Sequence, residues 1–132
     1  MKHFLIFASV LFLLSSCSIF SKEKKNSPEY VSKMFLTHFQ KLEFDEAAEF
    51  GTEKTKLALK ILKSLSNMVP EETRNQNTFS NAEVQNCTVD GNTAQCTYTA
   101  NGKTETINLV RQDGTWLVDL KLEQKKKSGP GK

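Results

Sequence analysis

The stretch Cys87-Thr88-Val89-Asp90-Gly91-Asn92-Thr93-Ala94-Gln95-Cys96 decides the fold. Side chains alternate in character on both sides of Gly91-Asn92, a dipeptide suited to a two-residue hairpin loop. Counting outward from that loop pairs Asp90 with Thr93. Three steps further out, Cys87 lies opposite Cys96. This is a non-hydrogen-bonded position, where facing side chains approach most closely, so the two thiols can bridge.

The same count continues through the loops Asn101-Gly102 and Asp113-Gly114. Across the first, Cys96 faces Ile107 and Ala94 faces Leu109; across the second, Leu109 faces Val118 and Ile107 faces Leu120. One face of the sheet then collects Cys87, Val89, Ala94, Cys96, Tyr98, Ile107, Leu109, Trp116, Val118 and Leu120. The other carries Thr97, Thr99, Thr104, Thr106, Asn108, Asp119 and Lys121. Three independent turns agree on one buried face, which predicts a four-stranded antiparallel meander. Val84 falls on the polar side of the first strand unless a bulge intervenes.

Upstream the pattern is helical. Ser27-Pro28-Glu29 is a start signal: a capping serine, a proline at the first helical position, and a carboxylate facing the positive end of the dipole. Val31, Met34, Phe35, His38, Phe39 and Leu42 follow at helical spacing as one apolar face. A short helix fits Asp45 to Phe50, stopped by Gly51. Thr52 caps a third helix with a stripe of Leu57, Ala58, Ile61, Leu62 and Leu65, expected to be buried. Pro70 and the polar run Glu71 to Asn77 end the helical half. Helices first and then a curved antiparallel sheet make an α+β plan.

The chain opens with Lys2, an apolar run from Phe4 to Leu14, and then Ser15-Ser16-Cys17. That order is a secretory signal, too short and wrongly flanked to span a membrane. Leu14-Ser15-Ser16-Cys17 resembles a bacterial lipobox. The resemblance implies lipid on Cys17, cleavage before it, and usually a further acyl chain on the new amino terminus. One acyl chain holds a protein only weakly, whereas two or three tether it stably. The alternative is an ordinary signal cleaved nearby, leaving Cys17 a stray thiol. The expected organisation is a signal over 1–16, a lipidated cysteine and flexible spacer over 17–26, a folded domain over 27–122, and a basic tail over 123–132.

Loss of the signal leaves about 116 of the 132 residues, enough for one modest core. The whole chain carries +3 and the mature part about +2, which does not call for a nucleic-acid partner. Export places Cys87 and Cys96 where a disulfide is stable. Only His38 survives processing, so a histidine-cluster metal site is excluded. No phosphate-cradling glycine loop, nucleophile elbow or metal-ligand spacing is present, and no cofactor is implied. Asn86-Cys87-Thr88 matches a glycosylation sequon but is set aside, because the signal is of bacterial type.

Three features together resemble the small bacterial lipoproteins with a nuclear-transport-factor-like (cystatin-like, lumazine-binding-like) domain. They are the order of elements, the acidic segment Phe44-Asp45-Glu46-Ala47-Ala48-Glu49-Phe50, and the strand end Asp113-Gly114-Thr115-Trp116-Leu117-Val118-Asp119. The match runs from Ser27 to Leu122. It implies a cone with a cavity between helix and sheet, in a family whose anchored members mostly have no assigned activity. The Gln-x-Val-x-Gly wedge of a protease-inhibiting cystatin is missing.

Enzymes on that fold place an Asp, His or Tyr inside the cone to move a proton. The matching candidates are Tyr98, Glu105 opposite it, and His38 on the first helix. Each has a plainer reading: Tyr98 as a core ring with its hydroxyl at the edge, Glu105 as a solvated rim carboxylate, His38 as one member of an apolar stripe. Asp45, Glu46 and Glu49 suit a solvated, acidic helix start. The lysine-rich tail is a solubilising end that could also meet anionic lipid or cell-wall phosphate.

The preferred expectation is therefore a membrane-tethered, noncatalytic module that grips a small apolar ligand or an envelope protein. It would sit in the bacterial envelope, in the outer membrane facing the periplasm if the cell is Gram-negative. The alternatives are a hydrolase or isomerase using Tyr98 and Glu105, or a homodimer formed through the threonine-rich outer face with Val110 and Leu117.

Overall fold

The computed structural model describes residues 25–76 and 81–121. The lipobox with Cys17, most of the spacer and the basic tail lie outside the described residues. Helix α1 (Pro28–Gln40) begins as its sequence dictates: the Ser27 hydroxyl accepts from the Tyr30 amide at 3.2 Å, with Pro28 and Glu29 in the first turn. It ends in a Schellman turn. Glu43 N donates to His38 O at 3.0 Å and Leu42 N to Phe39 O at 3.1 Å, with Leu42 at φ 60°. A leucine in that conformation costs about 1–2 kcal/mol. Its side chain packs against the core instead of the glycine usual there.

Helix α2 (Phe44–Ala48) is short and buries Phe44 and Ala47. Helix α3 (Glu53–Met68) starts from Thr52, whose hydroxyl accepts from the Thr55 amide at 3.3 Å. Helix α4 (Glu71–Gln76) follows Pro70. Among the described residues no helix is long and apolar enough to cross a membrane.

Strands β1 (Glu83–Asp90), β2 (Thr93–Ala100), β3 (Lys103–Gln112) and β4 (Thr115–Val118) form one antiparallel meander in chain order. The register is the one the turns predict, with Cys87 opposite Cys96, Ala94 opposite Leu109, and Leu109 opposite Val118. Cys87 and Cys96 are joined by a disulfide across Cα atoms 4.0 Å apart. Closing so short a loop stabilises the fold by about 2–3 kcal/mol on the chain-entropy account. The loops take positive φ at Gly91, Asn101, Gly102, Asp113 and Gly114, as primed hairpin turns require. The register slips between Val84 and Asn86, a bulge that brings Val84 against the core. The β3–β4 ladder stops at Val118, short of the expected Ile107–Leu120 pair, with Asp119 N donating to Asn108 O at 2.8 Å just beyond.

Three expectations are corrected. The buried face of α1 runs through Val31, Ser32, Phe35 and Leu36, with Met34 and His38 on its flank. The Ser32 hydroxyl is buried and has no hydrogen-bond partner among the described residues. Val89 is half exposed, since it lies at the turn end of edge strand β1. The largest departure is α3, where only Thr55, Ala58 and Leu59 are buried and Leu57, Ile61, Leu62 and Leu65 are exposed. The helix touches the body through its first half and through α2, and its second half runs past them.

That first half is fastened to the end of β4. Phe50 O accepts from Val118 N at 2.8 Å, and Val118 O accepts from Thr52 N at 2.9 Å, a one-residue parallel bridge centred on Gly51. The fully buried Thr55 hydroxyl donates to Val118 O at 2.8 Å and accepts from Leu120 N at 2.9 Å. Gly51 belongs here because a Cβ would lie 2.6 Å from Thr55 Cγ2, whose side chain these bonds hold in place. Thr55→Val keeps the shape and adds apolar surface, yet it strands the Leu120 amide. We expect it to lower unfolding stability by about 1–3 kcal/mol in urea titrations; an unchanged midpoint would mean the hydroxyl does not fasten the helix.

Candidate functional site

The second half of α1 stands off the wide end of the sheet and leaves a cavity of about 250 Å³. Phe35, Leu36 and Phe39 form its helical wall; Tyr98, Ala100, Ile107 and Leu120 form the sheet side, and Ala82 closes it beside β1. Phe39 is held in a ring cluster, stacked on Phe35 at 5.9 Å and edge-on to Phe44 at 5.8 Å. The wall is therefore built of packed rings with few rotamers open to them. The polar residues of its lining are Gln40, Thr106 and Tyr98. Hollows of up to about 490 Å³ elsewhere are lined by mixed polar and charged side chains on the outer sheet face and beside the start of α3.

Tyr98 and Glu105 are direct cross-strand partners, as the turn count places them. Tyr98 is half-buried against the core and lines the cavity, whereas Glu105 is exposed and does not. Burial of the ring, with a smaller contribution from the Glu105 charge, pushes the Tyr98 hydroxyl above the ordinary value of 10.0. His38 is not brought to this pair. Its Nδ1 lies 2.7 Å from Glu43 Oε2, and its ring stacks on Phe50 at 6.0 Å. The imidazole thus ties the end of α1 to the α2 segment. A proton-transfer site would need base, acid and substrate pocket within hydrogen-bond reach of one another. Here the three candidates are divided between the rim, the solvent and the opposite flank of the helix.

Of the acidic residues of the central segment, Asp45 has a structural partner, while Glu46 and Glu49 are exposed. Asp45 pairs with Lys63 across α2 and α3. Asp119, which closes the Asp113–Asp119 strand signature, accepts from the Thr52 hydroxyl at 3.2 Å. That signature therefore marks the fastening of α3 to β4. Arg111 covers the buried Trp116 indole at 4.6 Å, and Asn26 bonds both Gly114 O at 2.6 Å and Trp116 N at 3.1 Å. Asn26, assigned from sequence to the spacer, thereby shields the β4 edge. On the outer face, Val110 and Leu117 are partners in the ladder and half-buried, a small apolar pair among threonines and other polar residues.

The sequence singled out Tyr98, Ile107 and Leu120 of this cavity through alternation, and Phe35 and Phe39 through helical spacing. It missed Leu36, Gln40, Ala82 and Ala100, and it placed Thr106 on the outer face. Ala100 precedes the Asn101-Gly102 turn on the inward parity of Tyr98, so parity alone would have found it. No family model matches this chain, and no curated protein or solved structure matches it significantly.

Raised ionisation of Tyr98 has a pH signature. The unfolded tyrosine loses its proton before the folded one, so this contribution to stability is fully present below pH 10.0 and is lost as pH rises through the higher folded value. Urea midpoints measured from pH 9 upward should fall less steeply in Tyr98→Phe than in the unsubstituted chain. Identical slopes would place the Tyr98 hydroxyl in water.

Proposed function

We propose that this chain is a lipid-anchored, noncatalytic binding module of the bacterial envelope, and that the cavity between α1 and the sheet takes a small apolar ligand or the apolar tip of an envelope partner. The observation that carries the reading is the cavity: about 250 Å³, walled by Phe35, Leu36, Phe39, Ala100, Ile107 and Leu120, with few polar groups in its lining. Binding sites are commonly of this kind, mostly apolar with a few polar groups that fix orientation. A pocket of that size beside packed aromatic rings supports a binding role.

The volume sets the scale of the guest. A cavity of about 150 Å³ takes benzene, so this one suits about ten carbon atoms, with a hydroxyl or carboxyl left at the margin near Tyr98 and Gln40. The α+β order with a meander sheet is also what a nuclear-transport-factor-like cone has, and in that reading the cavity is the mouth of the cone. The Leu14-Ser15-Ser16-Cys17 signal supports the anchor, and with it a periplasm-facing place on the outer membrane in a Gram-negative cell. Lipid on Cys17 would hold the module against the bilayer by a spacer of at most about 30 Å.

Calorimetric titration with decan-1-ol tests the reading. Ala100→Leu projects into the cavity and should weaken binding about tenfold or more while leaving the unfolding midpoint unchanged or higher. Equal affinity in the two proteins, or no binding to either, would reject the cavity as a ligand site. Glu105→Gln should leave decan-1-ol affinity unchanged.

A further inference from the structure

Helix α3 carries more apolar surface than its own domain uses. Leu57, Ile61, Leu65 and Met68 are 52 to 80% exposed, with Leu62 and Val69 more than a third exposed beside them. Their spacing along the helix draws a straight stripe on the flank turned away from Thr55 and Leu59. Together these side chains present on the order of 500 Å² of apolar surface, near the top of what a monomer's largest patch usually reaches.

We infer that this stripe is the contact surface for a second copy of the same chain, packed antiparallel along α3. A two-fold contact must be complementary to itself, and in an antiparallel pair each end of one helix meets the opposite end of its twin. The stripe has that property. Lys54 precedes it in the same arc of the helix, and Glu71 and Glu72 follow it. In an antiparallel pair centred between Ile61 and Leu65, Leu57 meets Met68 and Val69 of the second copy, and Lys54 meets its Glu71 and Glu72. Elsewhere on α3, Lys56 pairs with Glu53 at 2.6 Å, and Lys63 with Asp45. Lys54, Glu71 and Glu72 make no ion pair among the described residues.

The surface area agrees. Two facing stripes remove about 1,000 Å² from water, the least that a specific interface needs. Glu71 and Glu72, which close one end of the stripe, would be repelled by an anionic lipid surface. This contact lies on α3 and leaves the outer sheet face, with Val110 and Leu117, free. It is independent of the cavity, so either can fail without the other.

Cross-linking in intact cells tests it on the full chain. Ile61→Cys adds one thiol, and a short bis-maleimide should yield an adduct of twice the chain mass. Lys103→Cys on the exposed start of β3 serves as the control position, and the unsubstituted chain as background. Adding Lys54→Glu to Ile61→Cys should lower the yield about fivefold, the scale of two reversed exposed ion pairs. Adding Glu71→Lys and Glu72→Lys as well should restore it. A yield at Ile61→Cys no higher than at Lys103→Cys overturns the proposal. A dimer whose yield ignores both charge reversals overturns the antiparallel arrangement. An adduct of any other mass assigns the stripe to a different protein and overturns it too. So does an Ile61→Cys thiol that forms no dimer and is shielded from a water-soluble maleimide only while membranes are intact, since lipid then covers the stripe.

Discussion

Everything in this domain depends on how the helical half is fastened to the last strand. The joint is small: Phe50, Gly51 and Thr52 lie along Val118, and the Thr55 hydroxyl holds Val118 O at 2.8 Å while receiving Leu120 N at 2.9 Å. Gly51, Thr52, Thr55 and Val118 are all buried, so the bonds among them are shielded from water. Glycine at 51 is forced by the same closeness, because any side chain there would meet Thr55. The joint also shields the β4 edge, which Asn26 covers from the other end.

Once α3 is fixed to β4, the short α2 and the Schellman turn at Leu42 dictate where α1 can lie. Phe35, Leu36 and Val31 pack on Ile107, Leu109, Val118 and the disulfide-linked Cys96 in the deep part of the sheet. Toward the far end of α1 the packing opens, and the cavity beside Phe39 and Tyr98 is what remains. The rings cannot readily fall into it. Phe39 is braced by Phe35 and Phe44, and His38 is held off on the opposite flank by Glu43 and Phe50.

The sheet was legible in the sequence because its information is local. Asn101-Gly102 and Asp113-Gly114 accept positive φ, each loop fixes a register, and the side-chain period of two carries that register to Cys87, Cys96, Ile107 and Val118. The helix starts at Ser27 and Thr52 were legible for the same reason. Depth of burial was not. Leu57, Ile61 and Leu65 have the spacing of a core stripe, and nothing within α3 tells whether a neighbour covers it. The answer depends on where β4 ends and how far α2 reaches, which are tertiary facts. Thr55 is the converse: a polar residue that spacing assigns to no role, yet one of the most buried in the chain. As for the site, Tyr98 was found by parity and Glu105 was read as a solvated rim carboxylate, while the pairing of His38 with Glu43 and Phe50 needed the packed structure.

The central claim is that the space beside Phe39 and Tyr98 is kept open for an apolar guest. A crystal structure of the protein isolated gently from its own envelope tests this most directly. Continuous density for an elongated apolar molecule between Phe39, Ala100 and Ile107, with its polar end toward Tyr98 and Gln40, is the result expected. A cavity closed by rotation of the Phe39 or Tyr98 ring, with no room left between α1 and the sheet, would contradict it.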